Sequence, residues 1–275
     1  MTPNDRFRRG LLAAAILLLP MLSLAADPPP PAQDNPMWLK LRVHLFQDRP
    51  ISESGAKLIE LSAPARAEDA AVVPVSIKTL TAQTPEHYIK TIYLILDNNP
   101  GPVAAVFHMT PESGRADIET RVRVEQYTHL RAVVEMNDGA LSMSTVYLKA
   151  SGGCSVPIGK ENSEPAASLG KMKLVVEDHP KLNQSVMVQL MIRHPNLSGL
   201  AMNQLTRLYE PPHFVRKVEV AYAGKPVMSA DLDFSISENP HFRFYFTPKA
   251  DGVLTAQVQD SHDLSFKTAL KISPR

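Results

Sequence analysis

Apolar and polar residues alternate one for one along most of this chain, and that pattern leaves little but antiparallel sheet open to it. Phe242, Phe244 and Phe246 alternate with Arg243 and Tyr245, and Val218, Val220 and Tyr222 with Lys217 and Glu219. Leu264, Phe266, Leu270 and Ile272 share one face while Ser265, Lys267 and Lys271 point the other way, and Val186, Val188, Leu190 and Ile192 make a further set. A strict period of two puts side chains on opposite faces of a strand, one buried and one wet. Turn signals at Ala223-Gly224, Glu238-Asn239-Pro240 and Asp251-Gly252 separate the runs. Short strands at this spacing predict an antiparallel sandwich of immunoglobulin-like size, about 100 residues.

The first half of the chain repeats the pattern. Ile92, Leu94 and Leu96 alternate, and Asn98-Asn99-Pro100-Gly101-Pro102 turns the chain into Val103 to Met109. Val122 and Val124, then Ala132, Val134 and Met136, continue it, and Asn137-Asp138-Gly139 predicts a hairpin into Leu141 to Lys149. Helix signals are sparse: Pro36 to Lys40 and Gln204 to Leu208 each have room for a turn or short helix. The expected architecture is all-β, with two immunoglobulin-like antiparallel β-sandwich domains over 35–150 and 172–275. A flexible linker over 151–171, rich in Gly, Ser and Pro, joins them.

The opening residues read as an export signal over 1–26. Arg6, Arg8 and Arg9 precede an apolar stretch from Leu11 to Leu22, and Ser23, Ala25 and Ala26 offer cleavage after either alanine. The stretch is short and interrupted by Pro20, whereas a bilayer span needs ~20 apolar residues. Arg8-Arg9-Gly10-Leu11-Leu12 loosely matches a twin-arginine signal, which leaves Sec and Tat export both open. Residues 27–34, opening with Asp27-Pro28-Pro29-Pro30-Pro31, form a stiff spacer. The mature chain is expected to be periplasmic and not inserted in the membrane. Its formal net charge of +1 argues against a dedicated nucleic-acid binder.

Cys154, the only cysteine, follows Gly152 and Gly153 at the start of the linker. An unpaired cysteine in an exported protein implies an intermolecular disulfide, a covalent adduct or a reactive free thiol. The two glycines predict a hinge, so the thiol is expected to stand in reach of other proteins, with a disulfide-linked dimer through Cys154 as one outcome. Free cysteine titrates near 8.5, and Lys149 and Lys160 are the cations placed in sequence to favour the thiolate. A cysteine hydrolase requires a histidine base in reach, and Ser155 to Asp178 contains none; His179 approaches only through folding. A blue-copper site requires His and Met soon after the cysteine, where Ser155, Val156, Pro157, Ile158, Gly159 and Lys160 stand instead. His194-Pro195 and His179-Pro180 lack zinc-ligand spacing, so neither metal nor cofactor is expected. The remaining competitor is a non-catalytic adaptor module, which would tolerate Cys154→Ser where a covalent carrier would not.

The ordered set of motifs resembles the sulfur-carrier pair SoxY and SoxZ. Leu61-Ser62-Ala63-Pro64-Ala65-Arg66-Ala67-Glu68-Asp69 with Val73-Pro74-Val75, the Asn99-Pro100-Gly101-Pro102 turn and Gly152-Gly153-Cys154 carry the likeness to SoxY. His194-Pro195, Ser198-Gly199-Leu200, Pro212-His213-Phe214-Val215 and Ser237-Glu238-Asn239-Pro240 with the phenylalanine stripe carry that to SoxZ. The resemblance implies a periplasmic carrier, not an enzyme. Sulfur intermediates ride covalently on Cys154, at the end of an arm hinged at Gly152 and Gly153. Two departures stand out: Ser155-Val156 replaces a second glycine pair, and the arm runs on into the SoxZ-like half. Single-chain forms of this kind resemble the group found with quinoprotein dehydrogenases. The partners implied are Sox-type or quinoprotein redox enzymes and c-type cytochromes, either for a carrier or for an adaptor.

Overall fold

A computed structural model describes residues 30–53, 57–156, 168–176, 180–204 and 206–275. The export signal, Lys160, His179 and the middle of the linker lie outside the described residues. Among the described residues fifteen strands follow one another: β1 (Ile51–Ser52), β2 (Ile59–Ser62), β3 (Val73–Thr79), β4 (Ile89–Leu96), β5 (Val103–Met109), β6 (Ile118–Val122), β7 (Thr128–Met136) and β8 (Leu141–Leu148) in the first half. The second half holds β9 (Met172–Val176), β10 (Val186–Ile192), β11 (Val215–Tyr222), β12 (Lys225–Leu232), β13 (His241–Phe246), β14 (Gly252–Asp260) and β15 (Ser265–Ile272). The alternation read from sequence carries through: Phe242, Phe244 and Phe246 are fully buried, and β3 alternates buried and accessible residues along its length. Ala223 and Gly224 both take positive φ, 48° and 79°, in the two-residue turn between β11 and β12, as a tight hairpin of right-twisted strands demands.

The two sandwiches stand edge to edge and share both of their sheets. One sheet has nine strands in the order β1-β8-β7-β4-β5-β12-β11-β14-β15, the other six in the order β2-β3-β6-β13-β10-β9. The halves meet where β5 pairs antiparallel with β12, Met109 opposite Met228 and Ala105 opposite Leu232, and where Glu119 of β6 lies opposite Arg243 of β13. Each half thereby covers a sheet edge that would otherwise present unpaired N–H and C=O groups. A single hydrophobic cluster continues across the junction, with Phe107 edge-on to Phe242 at 6.2 Å. The linker is therefore a secondary tether; strand pairing is the main join.

Helix α1 (Pro36–Phe46) starts where a turn or short helix over Pro36 to Lys40 was expected and runs six residues further. Asn35 caps it, its Oδ1 accepting from Met37 N at 2.9 Å, and Pro36 occupies the first turn where no amide donor is missed. Trp38 and Phe46 anchor it to the outer face of the nine-stranded sheet against Ile95, Val133, Leu141 and Met143. This cover explains why β7 is buried on both faces. It also encloses Arg131, which reaches both oxygens of buried Asp97 at 2.7 and 2.6 Å and lies 4.3 Å from the Trp38 ring centroid. In the second half Gln204 lies in a single turn, closed by Arg207 N donating to Asn203 O.

Candidate functional site

At one end of the junction the chain leaves β6 through Arg123, Val124 and Glu125, and this short segment organises the surroundings of Cys154. The Asn99-Pro100-Gly101-Pro102 turn between β4 and β5 brings in Asn99, whose Oδ1 accepts from Glu125 N at 2.9 Å. Its Nδ2 donates to Arg123 O at 2.7 Å and Ser235 Oγ at 3.1 Å. Arg123 crosses from the first half to the second: its guanidinium donates to the carbonyl oxygens of Asn196, Phe234 and Pro195. Asparagine, arginine and serine side chains here satisfy backbone that no sheet ladder reaches.

Cys154 is enclosed in this seam, with 2% of its surface exposed. The expectation of an exposed thiol on a swinging arm is not met in this conformation, and the reason is a set of specific bonds. Gly152 N and Gly153 N donate to Glu125 O and Val124 O, both at 2.9 Å, so the segment runs beside 124–125 as an added stretch of ladder. The Glu125 carboxylate then takes the Cys154 amide at 2.9 Å on Oε2 and the Ser155 hydroxyl at 2.7 Å on Oε1. From the second half, Ser198 Oγ donates to Cys154 O at 2.6 Å. Ser155, half of the Ser155-Val156 departure from the carrier motif, thus adds an anchoring bond that glycine lacks. Held so, Sγ meets no second chain, and an intermolecular disulfide requires residues 152–156 to lift away.

The two glycines differ. Gly152 has φ +82° with open space where a Cβ would stand, a left-handed conformation for which glycine is the ordinary choice. Gly153 is a packing glycine: a Cβ there would fall 2.0 Å from Ala70 O and 2.8 Å from Val124 N. The pair allows close docking rather than acting only as a hinge.

A cavity of about 140 Å³ opens beside the sulfur, lined by Asp69 and Ala71 of the first half, Pro195, Leu197 and Ser198 of the second, and Arg123 between them. Burial pushes the Cys154 thiol up to about 12, aided by the negative charges of Glu125 and Asp233 and opposed by Arg123. Among the described residues the cation that acts on the sulfur is Arg123 rather than the sequence neighbour Lys149; Lys160 lies outside them. In this state the thiol is protonated and a poor nucleophile, since the thiolate is the reactive form. Asn99 Nδ2, at 3.9 Å, is a weak donor to Sγ.

Behind the same wall, His194, His213 and Asp260 place one donor atom each within 4.8 Å of one another, a convergence the sequence spacing hid. His213 Nε2 is 2.8 Å from Asp260 Oδ2 and His194 Nε2 is 3.5 Å from it. Asn196 N donates to His194 Nδ1 at 3.1 Å, which fixes the proton of the neutral ring on Nε2. Coordinating a cation through that Nε2 would move the proton to Nδ1, directly against the Asn196 N–H. The set therefore suits a brace in which His213 bonds Asp260 and the buried His194 Nε2 has no hydrogen-bond partner among the described residues. Burial, with His213 beside it, holds His194 down at about 4.

Sequence reading singled out Cys154, Gly152 and Gly153 and missed Arg123, Glu125, Asn99 and Ser198 as neighbours of the thiol. Asn99 and Ser198 stood inside the family-like motifs, which was the available signal. Arg123 and Glu125 gave none, because alternation with Val122 and Val124 assigns them to a wet face, which the second half in fact covers at Arg123 and the Cys154 segment at Glu125.

Fold and site together define an all-β protein of paired sandwiches with its single thiol closed into the seam between them. The chain belongs to the sulfur-oxidation carrier families: residues 42–154 match sulfur oxidation protein SoxY and residues 172–271 match sulphur oxidation protein SoxZ, so it is a SoxY–SoxZ fusion. The SoxY match ends on Cys154 itself. Among solved structures, the sulfur carrier protein SoxY of Chlorobium limicola f thiosulfatophilum is 26% identical, covering 40% of this chain and 89% of its own, with a TM-score of 0.34. A superoxide reductase (neelaredoxin) from Ignicoccus hospitalis, 18% identical, covers 46% of this chain and 100% of its own with a TM-score of 0.30. Fibronectin(III)-like modules of Clostridium thermocellum CbhA, 11% identical, cover 79% and 94% with a TM-score of 0.25. No curated protein matches the chain.

Proposed function

We propose that this protein is a periplasmic sulfur carrier that holds its cargo as a covalent adduct of Cys154 and presents it to partner redox enzymes. The observation that carries the reading is the coincidence of Cys154, last residue of the SoxY match, with the cavity between the SoxY and SoxZ halves. A cavity of this size holds several water-sized groups, room enough for a small inorganic sulfur moiety on Sγ. Loading with thiosulfate joins Sγ to its outer sulfur, releasing one proton and two electrons that a c-type cytochrome accepts. A hydrolase partner then adds water to the terminal sulfonate, releasing sulfate and one proton and leaving a persulfide on Cys154. The chain itself supplies a switchable thiol: neutral while Glu125 and Ser198 hold the segment, available as thiolate once residues 152–156 lift into solvent. A single-chain carrier of this type also suits a quinoprotein-linked pathway, with the same thiol receiving a different sulfur group.

The burial of Cys154 favours one competitor, an adaptor in which the cysteine merely fills space. Intact mass of protein isolated from the periplasm, with and without reductant and beside Cys154→Ser, separates them. A reductant-labile mass increase confined to Cys154 is expected and reports the cargo by its size. An unmodified thiol while the pathway is running, together with full pathway function in Cys154→Ser, would leave the adaptor standing.

A further inference from the structure

Around the corner from the cysteine cavity, the outer face of the six-stranded sheet carries a groove of about 580 Å³ between β6, β9, β10 and β13. Met191, opposite Lys173 on this outer face, lies among Arg121, Lys171, Lys173 and Arg193, while Met172 and Ile192 adjoin the groove from the core side of the sheet. None of the described residues lining it is acidic, although acidic and basic residues nearly balance over the whole chain, 28 against 29. His241, also in the lining, is held below the ordinary imidazole range by burial first and then by Arg121 and Arg243, as a locally positive field requires. The adjoining depression differs: there Arg243 pairs with Glu119 at 3.0 Å and Glu60 faces Lys78 across mixed charge.

The groove and the cysteine cavity are built on the same segments. Arg121 lines one and Arg123 the other, Arg193 one and Pro195 the other, Asn239 one and Glu238 the other. Anything seated in the groove therefore lies beside the place where the Cys154 segment is held. Lysine on an edge strand such as β9 also discourages sheet-to-sheet association, which accounts for Lys173. It does not account for Arg121 of β6, Lys173 of β9, and Lys171 and Arg193 flanking β9 and β10, all gathering around Met191. A half-buried, flexible methionine ringed by charge suits a protein-docking patch, and rim charges of one sign steer a partner of the other.

We infer that this groove is the docking surface for an acidic face of a partner protein, seated next to Cys154 while the thiol is loaded or unloaded. The inference deepens the carrier reading and rests on it only for what the partner does. The test measures binding of a short poly-glutamate peptide, and of its glutamine counterpart, to the full chain by amide chemical-shift changes. Wild type is compared with Lys171→Glu/Lys173→Glu, two exposed sites whose replacement leaves the core intact. The expected result is shifts confined to β9, β10 and Arg121 with the glutamate peptide alone. Affinity should fall about tenfold on raising ionic strength from ~0.05 to ~0.3 M and at least tenfold in the double variant. Shifts elsewhere, or a double variant that binds like wild type, would overturn the proposal. So would inorganic sulfate that shifts the same amides and displaces the peptide at matched ionic strength, since that outcome marks a small-oxyanion site. Cys154→Ser should bind the peptide as wild type does, so a thiol that proves never to be loaded leaves this result untouched.

Discussion

Glu125 grips the Cys154 segment with both carboxylate oxygens, Oε2 taking the Cys154 amide at 2.9 Å and Oε1 the Ser155 hydroxyl at 2.7 Å. The same negative charge sits beside Sγ and helps burial to keep the thiol protonated. One residue therefore couples the position of the segment to the reactivity of its sulfur: holding the segment in place and holding the proton on sulfur are the same act.

This coupling predicts how the thiol reacts. With the thiol pushed up to about 12, native protein at pH 8 carries roughly a thousandfold less thiolate than an unfolded chain titrating near 8.5. Alkylation by iodoacetamide should be correspondingly slow in the native state and rise with pH above 9. Glu125→Gln removes the charge and leaves one acceptor for two donors, so alkylation should quicken about tenfold or more. A native thiol that alkylates at the unfolded rate, or a Glu125→Gln variant no faster than wild type, would show that Glu125 does not govern the sulfur.

How much of this was legible in the sequence follows from how local each feature is. Strands such as Phe242 to Phe246 write their burial into a period of two, and Gly139 and Ala223-Gly224 name their turns through the positive φ they take. The pairing of β5 with β12 is non-local, and nothing in Val103 to Met109 distinguishes an edge left open from one covered by the second half. For the same reason Arg123 and Glu125 read as solvated charges. Cys154 was found because a lone thiol is conspicuous, but its burial depends on Ser198 and Pro195 from the other half, far away in sequence. Glycine before a cysteine reads as freedom; at Gly153 it is contact with Ala70 that demands it.

Acid should weaken the fold through His194. Its ring is buried and held at about 4, against 6.5 for an ordinary imidazole. Below pH 6.5 the unfolded chain takes up a proton that the native ring refuses. The stability present above 6.5 is therefore lost as pH falls towards 4, at about 1.4 kcal/mol per pH unit. Urea unfolding across that window should show this slope. In His194→Asn, whose amide oxygen can still accept from Asn196 N, the slope should flatten by most of one proton. An equal slope in both proteins would mean that His194 is not the group responsible.

Arg131 should matter out of proportion to its distance from the site. It is fully buried and satisfies both oxygens of Asp97, itself fully buried. Removing one partner of such a pair leaves an uncompensated charge in the core. Arg131→Met should lower unfolding stability by about 3–5 kcal/mol, and replacing Asp97 with Asn alongside it should recover a substantial part of that loss. Additive losses from the two substitutions would show that the pair is not coupled.

The two glycines before Cys154 give the sharpest separation between a docked segment and a free hinge. A methyl group on Gly152 meets open space, and its only cost is the left-handed φ of +82°, about 1 kcal/mol of local strain. A methyl on Gly153 would stand 2.0 Å from Ala70 O and 2.5 Å from Ala70 C, backbone that cannot rotate aside as a side chain would. Gly153→Ala should therefore drive residues 152–156 out of the seam and bring Cys154 alkylation close to the rate of a free thiol. The far-UV spectrum of the sheets should not change, because neither glycine belongs to a strand. Gly152→Ala should leave alkylation within a few-fold of wild type. If the seam is the resting place of the thiol in solution, the two variants diverge by orders of magnitude; if the segment is already loose, both alkylate alike and at the wild-type rate.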